Sequence, residues 1–230
     1  MNRLNVLQKL IDKTGAKTYL EIGVFNGEII SHLKCPTKIG VDPNFQLRFA
    51  NKVRKFLPDT RYKTIEVTSD VFFQDFACKT LSDGIDVAFV DGLHTYDQAL
   101  RDVENCLQYL NKDGFIVMHD CNPLNEATAY PVEHSINEVL ELAKKGEVPG
   151  WNGSWNGDVW KALVHLRATR DDLHIFTLDL DWGLGIIGFG KPESKPEIAV
   201  DELKKQGYAL LEKDRVNLLN LKKPSYLNQL

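Results

Sequence analysis

Short apolar runs that alternate with helical patterns limit this 230-residue chain to few folds. Five runs are continuous enough to be strands buried on both faces, namely TYLEI (18–22), TKIGVD (37–42), YKTIEV (62–67), IDVAFVD (85–91) and GFIVMHD (114–120). Helical spacing separates them at 26–34, 44–56, 70–80 and 95–110, and Gly114 is expected to end the last helix. Repeated βα units predict an α/β fold with a doubly wound, mostly parallel sheet that binds ligands at the carboxyl ends of its strands.

The pattern changes after residue 120. Helices are predicted at 131–145 and 158–168, with a loop rich in Gly, Asn and Trp between them. Residues 173–191 contain two strands with Asp-Trp-Gly between them, which is typical of an antiparallel hairpin. We therefore expect one domain over residues 1–190. The segment KPESKP (191–196) is interpreted as a linker, and residues 191–230 as a helical extension that packs on the domain or on a partner subunit.

Composition and charge argue against several classes of protein. A net charge of −4 gives no general surface for polyanions, so nucleic-acid binding is not expected. No run approaches the length that spans a membrane, and residues 1–17 lack the apolar core of a signal peptide. We therefore expect a cytoplasmic protein without a membrane partner. The four cysteines show no metal-ligand spacing, and a disulfide framework is not expected.

The stretch YLEIGVFNGE places Glu21, Gly23 and Gly27 at the end of the first predicted strand. A glycine turn at this point lets backbone approach a ligand where side chains would clash. The spacing is E-x-G-x-x-x-G and lacks the G-x-G-x-x-G of dinucleotide-binding folds. An acidic residue beside the turn would repel a pyrophosphate and suits a ligand that carries an amino group or a cation.

Further acidic residues follow the next strands. Asp42 ends the second strand about twenty residues on, where carboxylates in such folds accept ribose hydroxyls. Ser69 and Asp70 lie after the third strand, in a small polar segment suited to an adenine edge. Asp91 ends the fourth strand and is expected at the same edge of the sheet.

These stretches, together with FVDGLHTY and VMHD, resemble class I S-adenosylmethionine-dependent methyltransferases. The resemblance is to the small-molecule O-methyltransferase group, which includes macrocin-type, catechol-type and methyltransferase-24-like enzymes, and it covers most of residues 15–190. It implies a Rossmann-like, seven-stranded, mostly parallel sheet with a C-terminal antiparallel hairpin. It also implies that Glu21 and the Gly23–Gly27 turn hold the methionine part of the cofactor, that Asp42 holds the ribose, and that Ser69 and Asp70 border the adenine.

Two devices would make an acceptor hydroxyl nucleophilic: a general base, or a divalent metal that lowers the hydroxyl pKa. His94 is the leading candidate for the base. In metal-dependent relatives one ligand follows the fourth strand and two follow the fifth, which implies Asp91, His119 and Asp120 here. His119 departs from the oxygen ligands of those relatives. It favours Mn²⁺, Fe²⁺ or Zn²⁺ over Mg²⁺, or else it acts as a base without a metal.

The loop PGWNGSWNGDVWK (149–161) is the candidate acceptor site. Aromatic faces beside amide donors are a common way to hold a sugar or another flat polar molecule. Trp155, Asp158, Trp160 and Lys161 are the candidate substrate-binding residues, in a loop that could close as a lid. The alternatives are that Trp160 anchors a helix in the core, that Asp158 is only an N-cap, and that Lys161 faces solvent.

Together these features predict a methyltransferase that moves a methyl group from S-adenosylmethionine to a small acceptor, with a divalent metal, Mg²⁺ or Mn²⁺, as an open question. A hydroxyl of a saccharide or glycosylated metabolite is the expected acceptor, and a homodimer is one arrangement that would cover the Leu-rich extension. Two alternatives stand beside this hypothesis. One is a nucleotide-dependent oxidoreductase on the same sheet, and the other is a non-catalytic module that binds S-adenosylmethionine or carbohydrate.

Overall fold

The computed structural model describes residues 1–58 and 61–230. The chain forms two compact units. The first unit contains Met1–Gly92 and Arg101–Val117, and the second contains Leu93–Leu100 and Met118–Leu230. Neither unit ends at residue 190, where the sequence predicted the end of the domain. That domain boundary stays a prediction. Within the described residues, no helix is long and apolar enough to cross a membrane.

The first unit is built on parallel strands. Its strands follow the order β3-β2-β1-β4-β5, and β1 pairs in parallel with both β2 and β4. The strands are β1 (Thr18–Ile22), β2 (Thr37–Val41), β3 (Lys63–Ile65), β4 (Ile85–Val90) and β5 (Leu110–Met118). The helices are α1 (Arg3–Thr14), α2 (Phe49–Arg54), α3 (Ser69–Val71), α4 (Ala77–Thr80) and α5 (Tyr96–Leu107), of which α5 begins in the second unit. The order confirms the predicted α/β class.

Strand β1 lies at the centre of this unit and is buried along its whole length. In the parallel register, Leu20 pairs with Ile39 of β2 and with Ala88 of β4. Buried strands of this kind read as continuous apolar runs, which is why the sequence predicted β1, β2 and β4 correctly. Strand β3, also predicted to be buried on both faces, is partly exposed. Lys38 is the exception in β2, because its ammonium group is buried and donates to the carbonyl oxygens of Ile30 and Leu33 at 2.9 and 2.8 Å. Burial lowers the pKa of Lys38 to about 8.

Several helix predictions in this unit were wrong in extent. Residues 26–34 form turns and no helix. Gly27 has φ +77°, and the Lys38 ammonium group donates hydrogen bonds to two carbonyl oxygens of this segment. The helix expected over 44–56 is confined to α2. The one expected over 70–80 is interrupted between α3 and α4 by a π-helical turn, Phe72–Phe76.

The boundary between α5 and β5 was also predicted wrongly. The helix ends at Leu107 and the strand already begins at Leu110. Gly114 therefore lies inside the strand and does not end the helix. A Cβ at Gly114 would lie 2.8 Å from the carbonyl oxygen of Asp86, so this glycine permits a close approach of two strands.

The second unit contains the predicted hairpin. Its strands follow the order β7-β6-β8, with β6 antiparallel to β7 and parallel to β8. Asp181 and Trp182, in the turn of the hairpin, have positive φ angles of 50° and 63°. The elements are α6 (Ile136–Lys144), α7 (Val159–Thr169), β6 (Leu173–Leu178), β7 (Leu184–Phe189), α8 (Val200–Lys205), α9 (Tyr208–Leu219), β8 (Leu221–Lys222) and a 3₁₀ turn (Pro224–Gln229). Strand β8 makes eight strands in the described residues where seven were predicted.

The C-terminal extension packs on its own unit, where α8 and α9 contact α7. Buried Arg167 of α7 donates to the carbonyl oxygens of Asn217 and Leu218, each at 2.5 Å, and to that of Ser194 at 3.1 Å. Burial lowers the pKa of Arg167 to about 10. The extension therefore supplies the hydrogen-bond acceptors that this buried cation needs.

The segment 191–196, interpreted as a linker, contains a hub of hydrogen bonds. The Glu193 carboxylate binds Lys222 at 2.7 Å, Asn220 at 3.1 Å and His174 at 3.2 Å, and it accepts a hydrogen bond from Tyr226. Burial alone would raise the pKa of Glu193, but these hydrogen bonds outweigh it and lower the pKa to about 2.

We predict that Glu193→Gln destabilises the protein by about 1–2 kcal/mol, because charge-assisted hydrogen bonds to the chain terminus are lost. The unfolded chain takes up a proton at pH about 4.5 and the folded one only at about 2, so the contribution is complete above pH 4.5 and disappears as the pH falls towards 2. Urea unfolding over this pH range measures it. Glu197→Gln, just after this segment, is the matched control, and an equal loss in both variants would contradict the prediction.

Candidate active site

The glycine turn after β1 depends on two positive φ angles and one close contact. Gly23 and Gly27 have φ +83° and +77°, a region that favours glycine. A Cβ at Gly23 would lie 2.0 Å from the carbonyl oxygen of Asp91, and one at Gly27 would lie 2.7 Å from the Leu47 side chain. Gly23 therefore lets the ends of β1 and β4 approach each other, which places backbone and not side chains at this edge of the sheet.

Asp42, at the end of β2, fixes the same turn. Its Oδ2 accepts from the backbone N–H groups of Val24 and Phe25 at 2.9 and 2.7 Å, and Oδ1 accepts from Asn44 N–H at 2.7 Å. A carboxylate has about four lone-pair positions. Three are used, so Asp42 can accept one ribose hydroxyl directly, and a second only by releasing a backbone bond. Its role as the ribose ligand stays a prediction.

Glu21 is buried and mainly protonated at neutral pH. Its side chain is 1% exposed, and Oε2 accepts a hydrogen bond from the Tyr19 hydroxyl at 2.6 Å. Burial raises the pKa of Glu21 to about 8, while the Tyr19 bond lowers it and Asp91 raises it further. A neutral carboxyl attracts an amino group less than the predicted anion would. A cationic ligand nearby would have to draw the proton off.

Two other predicted cofactor residues of the first unit, Asp91 and Asp70, form ion pairs. Asp91 lies 3.3 Å from Arg3 of α1. The Asp70 carboxylate accepts from Arg101 Nε at 2.9 Å and borders an open cavity of about 340 Å³ that Phe73 and Tyr109 also line. Ser69 begins α3, which Thr68 caps. Their contact with an adenine stays a prediction.

A buried acid–imidazole cluster lies at the end of β5 in the second unit. Asp120 has φ +60°, an uncommon conformation for a residue with a side chain, and such strain concentrates at functional sites. Its Oδ2 lies 3.2 Å from His94 Nε2 and 3.0 Å from His119 Nδ1, and its Oδ1 accepts from Asn156 Nδ2 at 2.5 Å. The three residues predicted to be catalytic, His94, His119 and Asp120, are thus brought together around one carboxylate.

Both ring nitrogens of His94 face hydrogen-bond acceptors. Nε2 faces Asp120, and Nδ1 lies 3.2 Å from the carbonyl oxygen of Trp155. Neither acceptor can donate, so only the doubly protonated ring satisfies both contacts. The arrangement therefore matches His94 after it has taken a proton, with Asp120 orienting the ring.

His94 and Asp120 also offer ligand atoms close enough together for a divalent metal ion, while the part of His119 in such a site stays a prediction. Two ligands of one ion, each about 2.0–2.2 Å from it, are separated by about 3.0–3.4 Å. The separation of 3.2 Å between Asp120 Oδ2 and His94 Nε2 agrees with that geometry. An imidazole beside a carboxylate favours Mn²⁺, Fe²⁺ or Zn²⁺ over Mg²⁺. Asp91, the third predicted ligand, belongs to the first unit, and its part in such a site stays a prediction.

The loop before α7 is attached to this cluster. The backbone N–H groups of Asn156 and Gly157 donate to the carbonyl oxygen of Thr128 at 2.8 and 3.1 Å. The Trp155 indole donates to Tyr130, and its ring lies against that of His94 with centroids 5.2 Å apart. A Cβ at Gly157 would lie 1.9 Å from the His94 carbonyl oxygen, so glycine is needed there. The loop positions the imidazole from one side.

The remaining predicted substrate residues, Asp158, Trp160 and Lys161, lie at the start of α7. Trp160 is 1% exposed and fills the interior of its unit, as the core-anchor alternative held. Asp158 precedes α7, but its side chain accepts from the Tyr96 backbone N–H at 2.6 Å and does not cap its own helix. Burial raises the pKa of Asp158, and Lys161 lies 3.6 Å from it. Trp160 is therefore part of the core, and Asp158 is not an N-cap. Contact of either residue with an acceptor stays a prediction.

Sequence reasoning missed Asn156 and Asp181. Asp181 Oδ1 lies 3.8 Å from His119 Nε2, and Asn156 is 1% exposed with an Oδ1 that has no hydrogen-bond partner within the described residues. The repeated WNG of the loop marked both asparagines as unusual, but the sequence did not distinguish Asn156 from the exposed Asn152.

Comparison with known proteins identifies the first part of the chain. A family model described as a methyltransferase domain matches residues 20–121. This segment therefore resembles a methyltransferase domain. An uncharacterised protein of Acanthamoeba polyphaga mimivirus is 30% identical over 115 residues, which are 45% of this chain and 51% of that protein. The chain therefore spans about half the length of this relative.

Two solved structures share the fold of this chain over about four fifths of its length. The O-methyltransferase TomG of Streptomyces achromogenes, in complex with S-adenosylmethionine, has a TM-score of 0.54 at 12% identity over 81% of this chain and 79% of its own. A Podospora anserina methyltransferase bound to S-adenosylhomocysteine has a TM-score of 0.52 at 19% identity over 83% and 80%. At these identities the likeness confirms the Rossmann-like fold.

We predict that Glu21→Gln removes a pH dependence of stability. Between pH 4.5 and about 8 the unfolded chain has released the Glu21 proton while the folded chain keeps it, so the wild-type free energy of unfolding falls as pH rises. The glutamine variant lacks this slope and gains roughly a few kcal/mol relative to wild type above pH 8. Chemical unfolding across this range measures the slope. Glu104→Gln on α5 is the matched control, and parallel slopes for wild type and Glu21→Gln would rule the assignment out.

We predict that Asn156→Asp destabilises the protein by about 2 kcal/mol or more, because a second buried carboxylate would face Asp120. Asn152→Asp is the control: Asn152 is exposed in the same loop and only accepts from Ser154 N–H, as an aspartate also would. Thermal unfolding of both variants at neutral pH measures the difference. Equal stability of the two would show that Asn156 does not bind Asp120 in solution.

Proposed function

We propose that the chain is an S-adenosylmethionine-dependent O-methyltransferase that acts on a small acceptor. The observation that carries the proposal is the glycine turn Gly23–Gly27 held by Asp42, inside the segment that matches the methyltransferase domain. TomG, of the same fold, is an O-methyltransferase in complex with S-adenosylmethionine. In the proposal the first unit holds the cofactor and the second holds the acceptor.

S-adenosylmethionine supplies an electrophilic methyl carbon on a sulfonium centre when it is bound. Gly23 and Gly27 keep side chains away from the turn, and Asp42 orients the turn and accepts a ribose hydroxyl. Glu21 offers a carboxyl whose proton is held until pH about 8 and which becomes an anion when a cationic group approaches. These residues bind and orient without entering the chemical step.

His94 is proposed to take the proton of the acceptor. In the neutral ring whose Nε2–H donates to Asp120, Nδ1 carries the lone pair that receives the proton. The resulting imidazolium then donates to both Asp120 and the Trp155 carbonyl oxygen, which is the arrangement that the distances fit. Asp120 fixes the tautomer, as a carboxylate does for histidine in other proton-transfer sites.

The second device would be a divalent metal, for which Asp120 and His94 are proposed as ligands together with the predicted ligands His119 and Asp91. A bound metal would lower the pKa of an acceptor hydroxyl. The nitrogen donors make Mn²⁺ a better occupant than Mg²⁺. His94 Nε2 cannot serve in both mechanisms at once. It donates a hydrogen bond to Asp120 in the first and would be a metal ligand in the second.

A saccharide or glycosylated metabolite is the proposed acceptor class. Support comes from the half-buried Trp151 and Trp155 and the exposed Asn152 in the loop before α7, which combine aromatic faces with amide groups. The buried Asn156 Oδ1 is a hydrogen-bond acceptor that a substrate hydroxyl would satisfy.

We predict that the protein binds S-adenosylmethionine and that Asp42→Asn weakens binding roughly tenfold or more, because a charge-assisted hydrogen bond is lost and the turn loosens. Isothermal titration with S-adenosylmethionine and S-adenosylhomocysteine measures this. Asp75→Asn, exposed on the π-helical turn, is the matched control.

Release of S-adenosylhomocysteine is then assayed over a panel of saccharides, before and after chelation and with Mn²⁺ added back. Absence of binding by the wild type would overturn the proposed function. Binding without turnover on any acceptor would favour the non-catalytic module, and activity that survives chelation would leave His94 as the proton acceptor without a metal.

A further inference from the structure

Helix α2 is attached to the first unit by a polar side chain and exposes its apolar ones. Asn51 is its buried residue: the amide donates to the Asn26 carbonyl oxygen at 2.9 Å and accepts from the Ser31 hydroxyl at 3.0 Å. Phe49 is 83% exposed, and Phe56, just past the helix, is 75% exposed. This is the reverse of a surface helix that packs on a core.

The same segment is strongly basic. Residues 43–58 contain Arg48, Lys52, Arg54 and Lys55 and no acidic residue, in a chain whose net charge is −4. We call six exposed residues of this segment the basic aromatic face: Arg48, Phe49, Lys52, Val53, Phe56 and Leu57. Exposed apolar and cationic side chains therefore lie together on one short stretch, and contiguous exposed apolar groups mark interaction surfaces.

We propose that the basic aromatic face binds the surface of a membrane that contains anionic lipid. Cations are attracted to anionic headgroups, and exposed phenylalanines enter the boundary between headgroups and acyl chains. Side chains that protrude as far as Phe49 and Phe56 need a matching cavity in a protein partner, whereas a lipid surface adapts to them. The absence of a spanning helix led to the expectation of no membrane partner, and peripheral binding of this kind does not require one.

The basic aromatic face is hydrogen-bonded to the glycine turn. Gln46 N–H donates to the Phe25 carbonyl oxygen at 2.9 Å and Arg48 N–H to that of Asn26 at 3.3 Å, while Asp42 holds Phe25 N–H. Binding at a lipid surface would therefore fix the segment that carries the proposed cofactor turn. The inference itself does not depend on the proposed function, because its test measures lipid binding alone.

Co-sedimentation of the full chain with vesicles tests the inference. One set of vesicles is phosphatidylcholine alone, and the other also contains phosphatidylserine. We expect the wild type to sediment with the second set and to remain largely in solution with the first. The double variant Phe49→Ser/Phe56→Ser removes the side chains that insert, and Lys52→Glu reverses a charge. Each should bind the anionic vesicles at least roughly tenfold more weakly than the wild type.

Two matched controls change the same chemistry elsewhere. Leu124→Ser removes an apolar side chain that is 63% exposed, and Lys112→Glu reverses an exposed charge. Both should bind like the wild type. The inference is overturned if the wild type stays in solution with both sets of vesicles, or if the face variants sediment as fully as the controls. All substituted positions are exposed, so far-UV circular dichroism should show the wild-type fold throughout.

Discussion

The close approach of β1 and β4 at Gly23 is the constraint on which the first unit depends. No side chain fits there, because a Cβ would lie 2.0 Å from the Asp91 carbonyl oxygen. Once the strand ends are this close, the turn that follows must leave at a positive φ angle. Asp42 then holds it by two backbone N–H groups, so one carboxylate links the ends of β1 and β2. A chain with alanine at position 23 would need to separate these strands.

The second unit depends on buried charge as well as on close backbone approach. Asp120 accepts from three side chains in a strained conformation, and these donors come from three separate segments of the chain. Buried polar groups are costly unless they are satisfied, so such a cluster fixes one arrangement of its segments. The C-terminal extension is also held by charged groups: buried Arg167 donates to the Leu218 carbonyl oxygen, and the exposed Glu193 carboxylate binds Lys222.

Much of the fold was predictable because buried parallel strands leave a continuous apolar signal that does not depend on their neighbours. Four of the five strands of the first unit were located from this signal, whereas β3 is partly exposed. The hairpin was predicted from its two apolar runs and the turn between them, and α7 from its helical spacing. Element ends were less predictable, as Gly114 shows: glycine ends many helices, but here it permits a close contact inside a strand. The turn at 26–34 has helical spacing, yet Lys38, a residue outside the segment, takes its carbonyl groups.

The sequence alone determined the class of fold, the glycine turn with Asp42, and the gathering of His94, His119 and Asp120, because strand ends in a parallel sheet carry their side chains to a common edge. Only the tertiary structure showed that Glu21 keeps its proton, that Asn156 binds Asp120, and that apolar side chains of α2 face outward. Each of these depends on burial and on partners distant in sequence, and periodicity records neither. Whether a carboxyl keeps its proton, or a phenylalanine faces water, is decided by what the folded chain places beside it.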